Sequence, residues 1–397
     1  MKDLLYVWYN EFVSVFHDKG VMIFILFVPL CYPLLYAYVY TNEVVRDVPV
    51  AVVDDSHTQL SREFLRKVDA TPDVRLAARC HGMDEAREMI RQQHAYGIIR
   101  IPSTFCRDLQ KGEQTYVGLY CDMGVMLYYK AMLLACTNVS LEMNNDIKIA
   151  HVGATTRHDE DVTKMPIEYE HLSIYNPKSG FAAFLIPPIL MLIIQQTLLL
   201  GIGMRMGSTR EEYHGCVIPF DEHFKRVMPV VAGKALFYFM LYFIMAVYMF
   251  TLVTKWFGLP MLGDYPTLLG FVVPYILACT FFAITLSSLI YRREDCILIF
   301  VFMSVPMVFL SGISWPSSAM PAFWKYFSYL FPSSLGMNAY PRIMTMGCSL
   351  SDIQPLYLGL WAQVLVYFTT SCFVYLRHIK KFIRIQRTPT KNYEDIH

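Results

Sequence analysis

The chain has 397 residues, 55% of them hydrophobic and 17% charged, with a formal net charge of +1. Mean hydropathy is +0.36, and soluble domains carry about 25% charged residues, so the balance argues for a membrane protein. No strongly basic face supports nucleic acid as a partner.

The N-terminal stretch MKDLLYVWYNEFVSVFHDKG places Leu4, Leu5, Trp8, Phe12, Val15 and Phe16 along one helical stripe. Lys2, Asp3, Asn10, Glu11, His17, Asp18 and Lys19 form the polar complement. This predicts an amphipathic helix over 1–19 lying in the headgroup layer. A first spanning run follows over 20–40. It is too long for a signal peptide and has no small-x-small cleavage site before Thr41, so it reads as retained.

Residues 41–178 have the texture of a soluble α/β domain inserted between the first and second spans. VPVAVVDD is a buried-strand run ending in acids, and SHTQLSREFLRKV has helical spacing. DVRLAA, YGIIRIP and QTYVGLYCD read as strands, with MDEAREMIRQQH and STFCRDLQKG as helices between them. A long helix is predicted over about 126–149, then a polar linker over 151–171. The linker's three histidines match no metal-ligand spacing. Asp54 and Asp55 read as strand-end acids capping a helix from Ser56 rather than a catalytic pair. Cys80, Cys106, Cys121 and Cys136 lie in this domain, and no spacing selects a disulfide among them.

Five further runs are long and apolar enough to span, at 180–204, 231–254, 267–291, 296–314 and 356–376. The predicted fold is therefore an α-helical polytopic membrane protein with six transmembrane helices and one inserted α/β domain. Between the second and third spans, 205–230 contains GSTREEYHGCVIPFDEHFKRVMPV, where Ser208 or Thr209 is placed to cap a short helix with Glu211 and Glu212 in its first turn. Gly215 would end it. The stretch 315–343 carries Pro316, Pro321 and Pro332 amid Trp, Phe and Tyr, which predicts a broken helical hairpin at the membrane interface. Non-helical backbone at that depth persists only when buried in protein or lining a cavity, so the hairpin is expected to cap a translocation path. A basic tail occupies 377–397.

Lys and Arg set the orientation. With the N-terminus cytoplasmic, fifteen fall on that side and three, Lys255, Lys325 and Arg342, in the opposite short loops. Both termini are thus expected in the cytoplasm and 41–178 outside it. The sequence has no G-x-x-x-x-G-K-[ST], no H-E-x-x-H and no G-x-S-x-G, so no nucleotide site or common hydrolase chemistry is written in it. No carboxylate stands mid-span, and Lys234, near a span end, is expected to snorkel to the interface.

The layout resembles the ABC-2 type permeases of bacterial ABC exporters. VAVVDDSHTQLSREFLRKVDA is similar to the start of that family's outer domain. TREEYHG with the later Gly233–Lys234 resembles its coupling loop, usually R-E-x-E-x-G-T followed by G-K; here no Thr follows Gly215 and a DEHFKR insert intervenes. FLSGISWPSSAMPAFWKYFSYLFPSSLGMNAYPRIMTMG resembles its F-x-S-G-x-x-x-P-x-x-x-M-P hairpin. The resemblance implies a bacterial inner-membrane exporter subunit without a cofactor of its own, with ATP and Mg held by a partner ATPase. It implies a second copy or a homologous permease, membrane lipids around it, and room for a periplasmic adaptor. Arg210, Glu211, Glu212 and Gly215 would lie in an ATPase-coupling helix. Gly312, Pro316, Met320, Pro321, Pro332 and Arg342 would belong to the outer hairpin. Gln195 and Gln196, deep in the second span, read as interhelical hydrogen-bonding groups, and the resemblance puts them near the translocation path. An aromatic- and Met-rich composition suits an amphiphilic or lipid-like cargo. The competing reading is a membrane-anchored receptor or scaffold that uses 41–178 to bind an outer partner.

Overall fold

A computed structural model describes residues 1–41, 44–152, 174–176, 180–213, 215–219, 222–224 and 226–387. The chain divides into two compact units, one of Met1–Glu43 with Ser173–His397 and one of Val44–Leu172. Most of the predicted linker over 151–171 and the end of the tail lie outside the described residues.

The first unit is helical. Helix α1 (Lys2–His17) leads to α2 (Lys19–Val39), with a π-helical turn over Ile23–Phe27. Asp18 separates the two, its carboxylate accepting from the backbone N–H groups of Gly20 and Val21 at 3.0 and 3.2 Å. Its extended backbone stops one helix while its side chain caps the next.

The second unit, Val44–Leu172, holds a four-stranded sheet: β1 (Val48–Asp54), β2 (Val74–Arg79), β3 (Gly97–Ile101) and β4 (Gly118–Cys121). The order is β2-β1-β3-β4, with β1 parallel to both neighbours and β4 antiparallel to β3. Helices α3 (Gln59–Asp69), α4 (Met83–Arg91), α5 (Phe105–Gln110) and α6 (Met126–Val152) surround it. A central parallel strand is covered on both faces, which explains its unbroken apolar run. Val48, Val50 and Val52 pack with Phe64, Leu65 and Val68 of α3 and with Met132, Ala135 and Val139 of α6. Ala51 and Val53 face Ala86 of α4 on the other side. The crossover from β1 through α3 to β2 runs one way along the sheet and the crossover from β2 through α4 to β3 runs back the other way, and right-handedness then puts α3 and α4 on opposite faces.

Helix α3 starts later than the acids suggested. Thr58 is the N-cap, in a reciprocal box with Ser61. Asp54 instead holds the preceding turn, accepting from Ser56 N, His57 N and Ser61 Oγ at 3.1, 3.1 and 2.8 Å. Asp55 pairs with Arg100 at 3.0 Å. All four cysteines of this unit are free thiols. Among the described residues no three His, Cys, Asp or Glu side chains are grouped to hold a metal.

The helical unit continues with α7 (Phe181–Glu212), α8 (Val227–Trp256) and α9 (Tyr265–Ser287). Then come α10 (Asp295–Leu310), α11 (Ala322–Ser328), α12 (Pro332–Met344) and α13 (Gln354–Arg387). Among the described residues five helices are long and apolar enough to cross a membrane: α2, α7, α8, α9 and the Gln354–Lys380 part of α13. The predicted span over 296–314 is shorter: α10 has 16 residues, a rise of about 24 Å against a hydrocarbon core of roughly 30 Å.

Helix α7 is apolar on every side and buried on nearly every side, with α2, α9, α10 and α12 packed around it. The predicted break near Ser208 does not occur. Thr209 donates its hydroxyl to Arg205 O at 2.9 Å inside the helix instead of capping a new one. Glu211 and Glu212 therefore sit in the last turn of a 32-residue helix, not the first turn of a short one.

Candidate functional site

The predicted functional residues gather at two levels of the helical unit, both reached by α7. The first is its C-terminal end. Arg210 is buried, and its guanidinium reaches across to the end of α9, donating to Ser288 O at 2.7 Å and to Ile290 O. Its cation lies 4.9 Å from the centre of the Tyr291 ring. Arg210 thus satisfies two carbonyls of the segment that follows α9. Glu211 accepts from the backbone N–H of Arg293 at 3.1 Å, and Arg293 extends to Asp18 at 2.8 Å. Burial raises the Asp18 carboxyl, but Arg293 and the N–H groups of Val21 and Gly20 outweigh it and hold it below the usual carboxylate value.

These contacts need α7 to pass very close to the segment after α9. A Cβ on Gly207 would lie 2.8 Å from both Cα and N of Arg293, so only glycine fits there. Glu212 is exposed and loosely paired with Arg205 at 3.8 Å. Gly215 closes the helix with φ of +84° and donates its N–H to Arg210 O at 2.8 Å. Of the predicted coupling set Arg210 alone is buried; Glu211 is exposed but accepts the Arg293 N–H, and Glu212 and Gly215 are exposed beside it.

Next to this cluster is a pair that the sequence reading placed wrongly. Lys234 does not snorkel. Its ammonium lies 2.9 Å from Glu11 of α1, with side-chain exposures of 5% and 7%, so no solvent screens the pair. Tyr238 donates its hydroxyl to the same carboxylate at 2.7 Å. Burial raises Glu11, but Lys234 and Arg205 outweigh it and keep the carboxyl low. The face α1 turns to the protein is Val7, Glu11 and Val15, one residue per turn. Leu5, Phe12 and Phe16 of the predicted apolar stripe remain exposed. Gly233 permits this approach, since a Cβ there would meet Leu4 O at 2.8 Å and Val7 Cβ at 3.0 Å. The Gly233–Lys234 dipeptide thus works as a unit, the glycine admitting α1 and the lysine pairing with it. The signal available beforehand was the apolar-acid-apolar row Val7, Glu11, Val15 at i, i+4, i+8.

The second level is the proline-rich hairpin. Its two limbs have different environments. Pro316 and Pro321 are exposed and flank the 3₁₀ turn Ser317–Ala319 before α11, with Met320 half-buried between them. Helix α11 exposes Phe323, Trp324 and Tyr326. Helix α12, opened by Pro332 at its first turn, is buried along most of its length, with Arg342 exposed near its end. Within this chain α12 is enclosed and α11 is largely exposed.

Burying α12 obliges every backbone group at its ends to find a partner. Gln195 of α7 accepts from the N–H of Ser333 at 2.5 Å, capping the helix in place of the missing Ser or Asp. Asn338 donates to Ser311 O at 2.7 Å, tying α12 to the end of α10, just before Gly312 turns the chain at φ of +87°. Leu262 N reaches Met344 O at 2.7 Å at the other end. Gln363 and Tyr367 of α13 donate to the carbonyls of Tyr329 and Leu330 in the turn. Gln195 and Gln196 both point an amide at the Met307 sulfur, at 3.1 and 3.0 Å. Gln196 Oε1, Ser334 Oγ and the Tyr340 hydroxyl are buried without a hydrogen-bond partner among the described residues.

The helical unit, with its several apolar helices, is that of a multi-pass membrane protein. A family model described as ABC-2 family transporter protein matches residues 19–373. The chain belongs to the ABC-2 transporter family and is accordingly the permease of an ABC transporter, for which the family implies an ABC ATPase subunit as partner. Among curated proteins none matches the sequence.

Proposed function

We propose that the chain is the permease subunit of an ATP-driven exporter in a bacterial inner membrane, moving an amphiphilic or lipid-like molecule outward. In this reading it crosses the membrane six times with both ends cytoplasmic and Val44–Leu172 outside. Helix α10 counts as the fifth crossing, because Arg292 and Arg293 before it and the basic end of α13 then share one side. It works as a dimer of two copies, or beside a homologous permease, and an adaptor can receive cargo at the outer domain. ATP and Mg bind in the separate ATPase, in keeping with the absence of a phosphate-binding loop motif from the sequence.

The observation that carries the proposal is the continuity of α7. Its 32 residues span about 48 Å without a break. One end presents Glu212 and Gly215 to a partner, and further along it Gln195 holds the N-terminus of α12. An ATPase pushing on the exposed end would shift a stiff rod, and the rod bears on the buried limb of the hairpin. The unpartnered oxygens of Gln196, Ser334 and Tyr340 are groups that a second conformation or a passing polar head would satisfy.

Gentle purification from native membranes tests this. A stoichiometric ATPase chain should co-purify, with vanadate-sensitive hydrolysis that Glu212→Lys uncouples from transport. A preparation with no ATPase, holding instead a protein bound to Val44–Leu172, would overturn the proposal and favour the receptor reading.

A further inference from the structure

The α/β unit contains a groove that the transport reading leaves unused. It has a volume of about 450 Å³, within the roughly 300–1,000 Å³ range of small-molecule pockets. One wall is a face of α6, adjacent to the face that packs on the sheet, where Leu133, Thr137, Ser140 and Asn144 recur at helical spacing. The floor is Phe64 of α3 with Phe105 and Leu109 of α5, and the segment leading into β4 supplies Thr115 and Tyr116.

Two properties define what fits. First, among the described residues none that lines the groove is charged: no Asp, Glu, Lys, Arg or His contributes. An ionised ligand would be desolvated there without a counter-charge, which is strongly unfavourable. Second, polar and apolar groups are arranged together. The Thr115 hydroxyl is buried without a partner among the described residues, and Thr137, Ser140 and Asn144 line the same groove, opposite an aromatic and aliphatic floor. The apolar character is felt by Cys136 in the same lining, whose thiol burial pushes up to about 12.

We infer that this groove binds one neutral amphiphile, a molecule with an apolar chain against Phe64, Phe105 and Leu109 and an uncharged hydroxyl-bearing head that hydrogen-bonds Thr115 and the polar face of α6. The inference does not depend on the direction of transport or on the ATPase.

The test uses the full chain in phosphatidylcholine nanodiscs and two photoreactive probes of equal chain length, a diazirine monoacylglycerol and the corresponding diazirine fatty acid. Crosslinked peptides are mapped by mass spectrometry. The neutral probe should label peptides covering 114–119 and 133–147 at least fivefold above other peptides of the unit. The fatty acid at neutral pH should label them about tenfold less. Thr137→Trp, at an exposed position on the groove wall, should abolish the localised label by filling the space. Thr115→Val, which keeps the shape and removes the hydroxyl, should reduce it severalfold with an unchanged circular dichroism spectrum. Equal labelling by both probes, label scattered over the unit, or label that both substitutions leave intact would overturn the inference.

Discussion

Removing one charge from the Glu11–Lys234 pair probes the structure most directly. The two groups are 2.9 Å apart and nearly inaccessible, with Tyr238 donating to the same carboxylate. Breaking a buried pair from one side strands the other charge and costs about 3–5 kcal/mol. Glu11→Gln strands the Lys234 ammonium, and Lys234→Met leaves Glu11 with only Tyr238 and the nearby Arg205. At about 2 °C per kcal/mol for a large domain, each single substitution should lower the melting temperature by roughly 6–10 °C. The double substitution removes both charges and their desolvation together, so it should recover most of the loss. Thermal unfolding of the four proteins in one nanodisc composition gives the coupling energy directly. Single losses below about 1 kcal/mol, or a double variant as poor as the two singles summed, would refute a desolvated ion pair between α1 and α8.

Other consequences follow from the same contacts. Gly233→Ala should force α1 away from α8 and cost about 1–3 kcal/mol, read as faster hydrogen exchange in Lys2–His17. Arg210→Met removes two donations to carbonyls after α9, and exchange across 288–295 should rise while the α/β unit is unaffected. Asp18, held below its ordinary value, stabilises the native state at neutral pH, and this contribution disappears as pH falls through its folded-state pKa. The stability gap between wild type and Asp18→Asn should therefore be flat above about pH 5 and close in stronger acid. In the α/β unit Cys136, pushed up to about 12, should stay unmodified by iodoacetamide at pH 8, conditions under which an ordinary exposed thiol reacts.

The sequence marked six stretches as apolar enough to span, and among the described residues five of them form helices long enough to cross, because a run of some 20 uncharged residues has few other uses. It also determined the strand-helix alternation of Val44–Leu172, since β1 must be apolar on both faces and α3 on one. It marked Gly215 as a stop, and that residue adopts the left-handed backbone. What it did not determine is which side of each apolar helix meets protein. In a membrane an apolar face suits lipid and protein equally: the stripe of Leu4, Leu5, Trp8, Phe12, Val15 and Phe16 reads as the face toward the headgroup layer, yet Val15 turns inward with Val7 and Glu11 while Leu5, Phe12 and Phe16 stay exposed. A similar ambiguity hid the polar partners. Glu11 and Tyr238 are 227 residues apart, and Gln195 and Ser333 are 138 apart. Neither separation leaves a periodic trace. Arg210 and Glu211 read as part of a short separate helix starting near Ser208, yet α7 continues through them and delivers both to the segment after α9. Only the packing of α7 against its neighbours decides that one arginine holds the segment after α9 while the glutamate two residues on faces outward, because burial is set by what arrives from elsewhere in the chain.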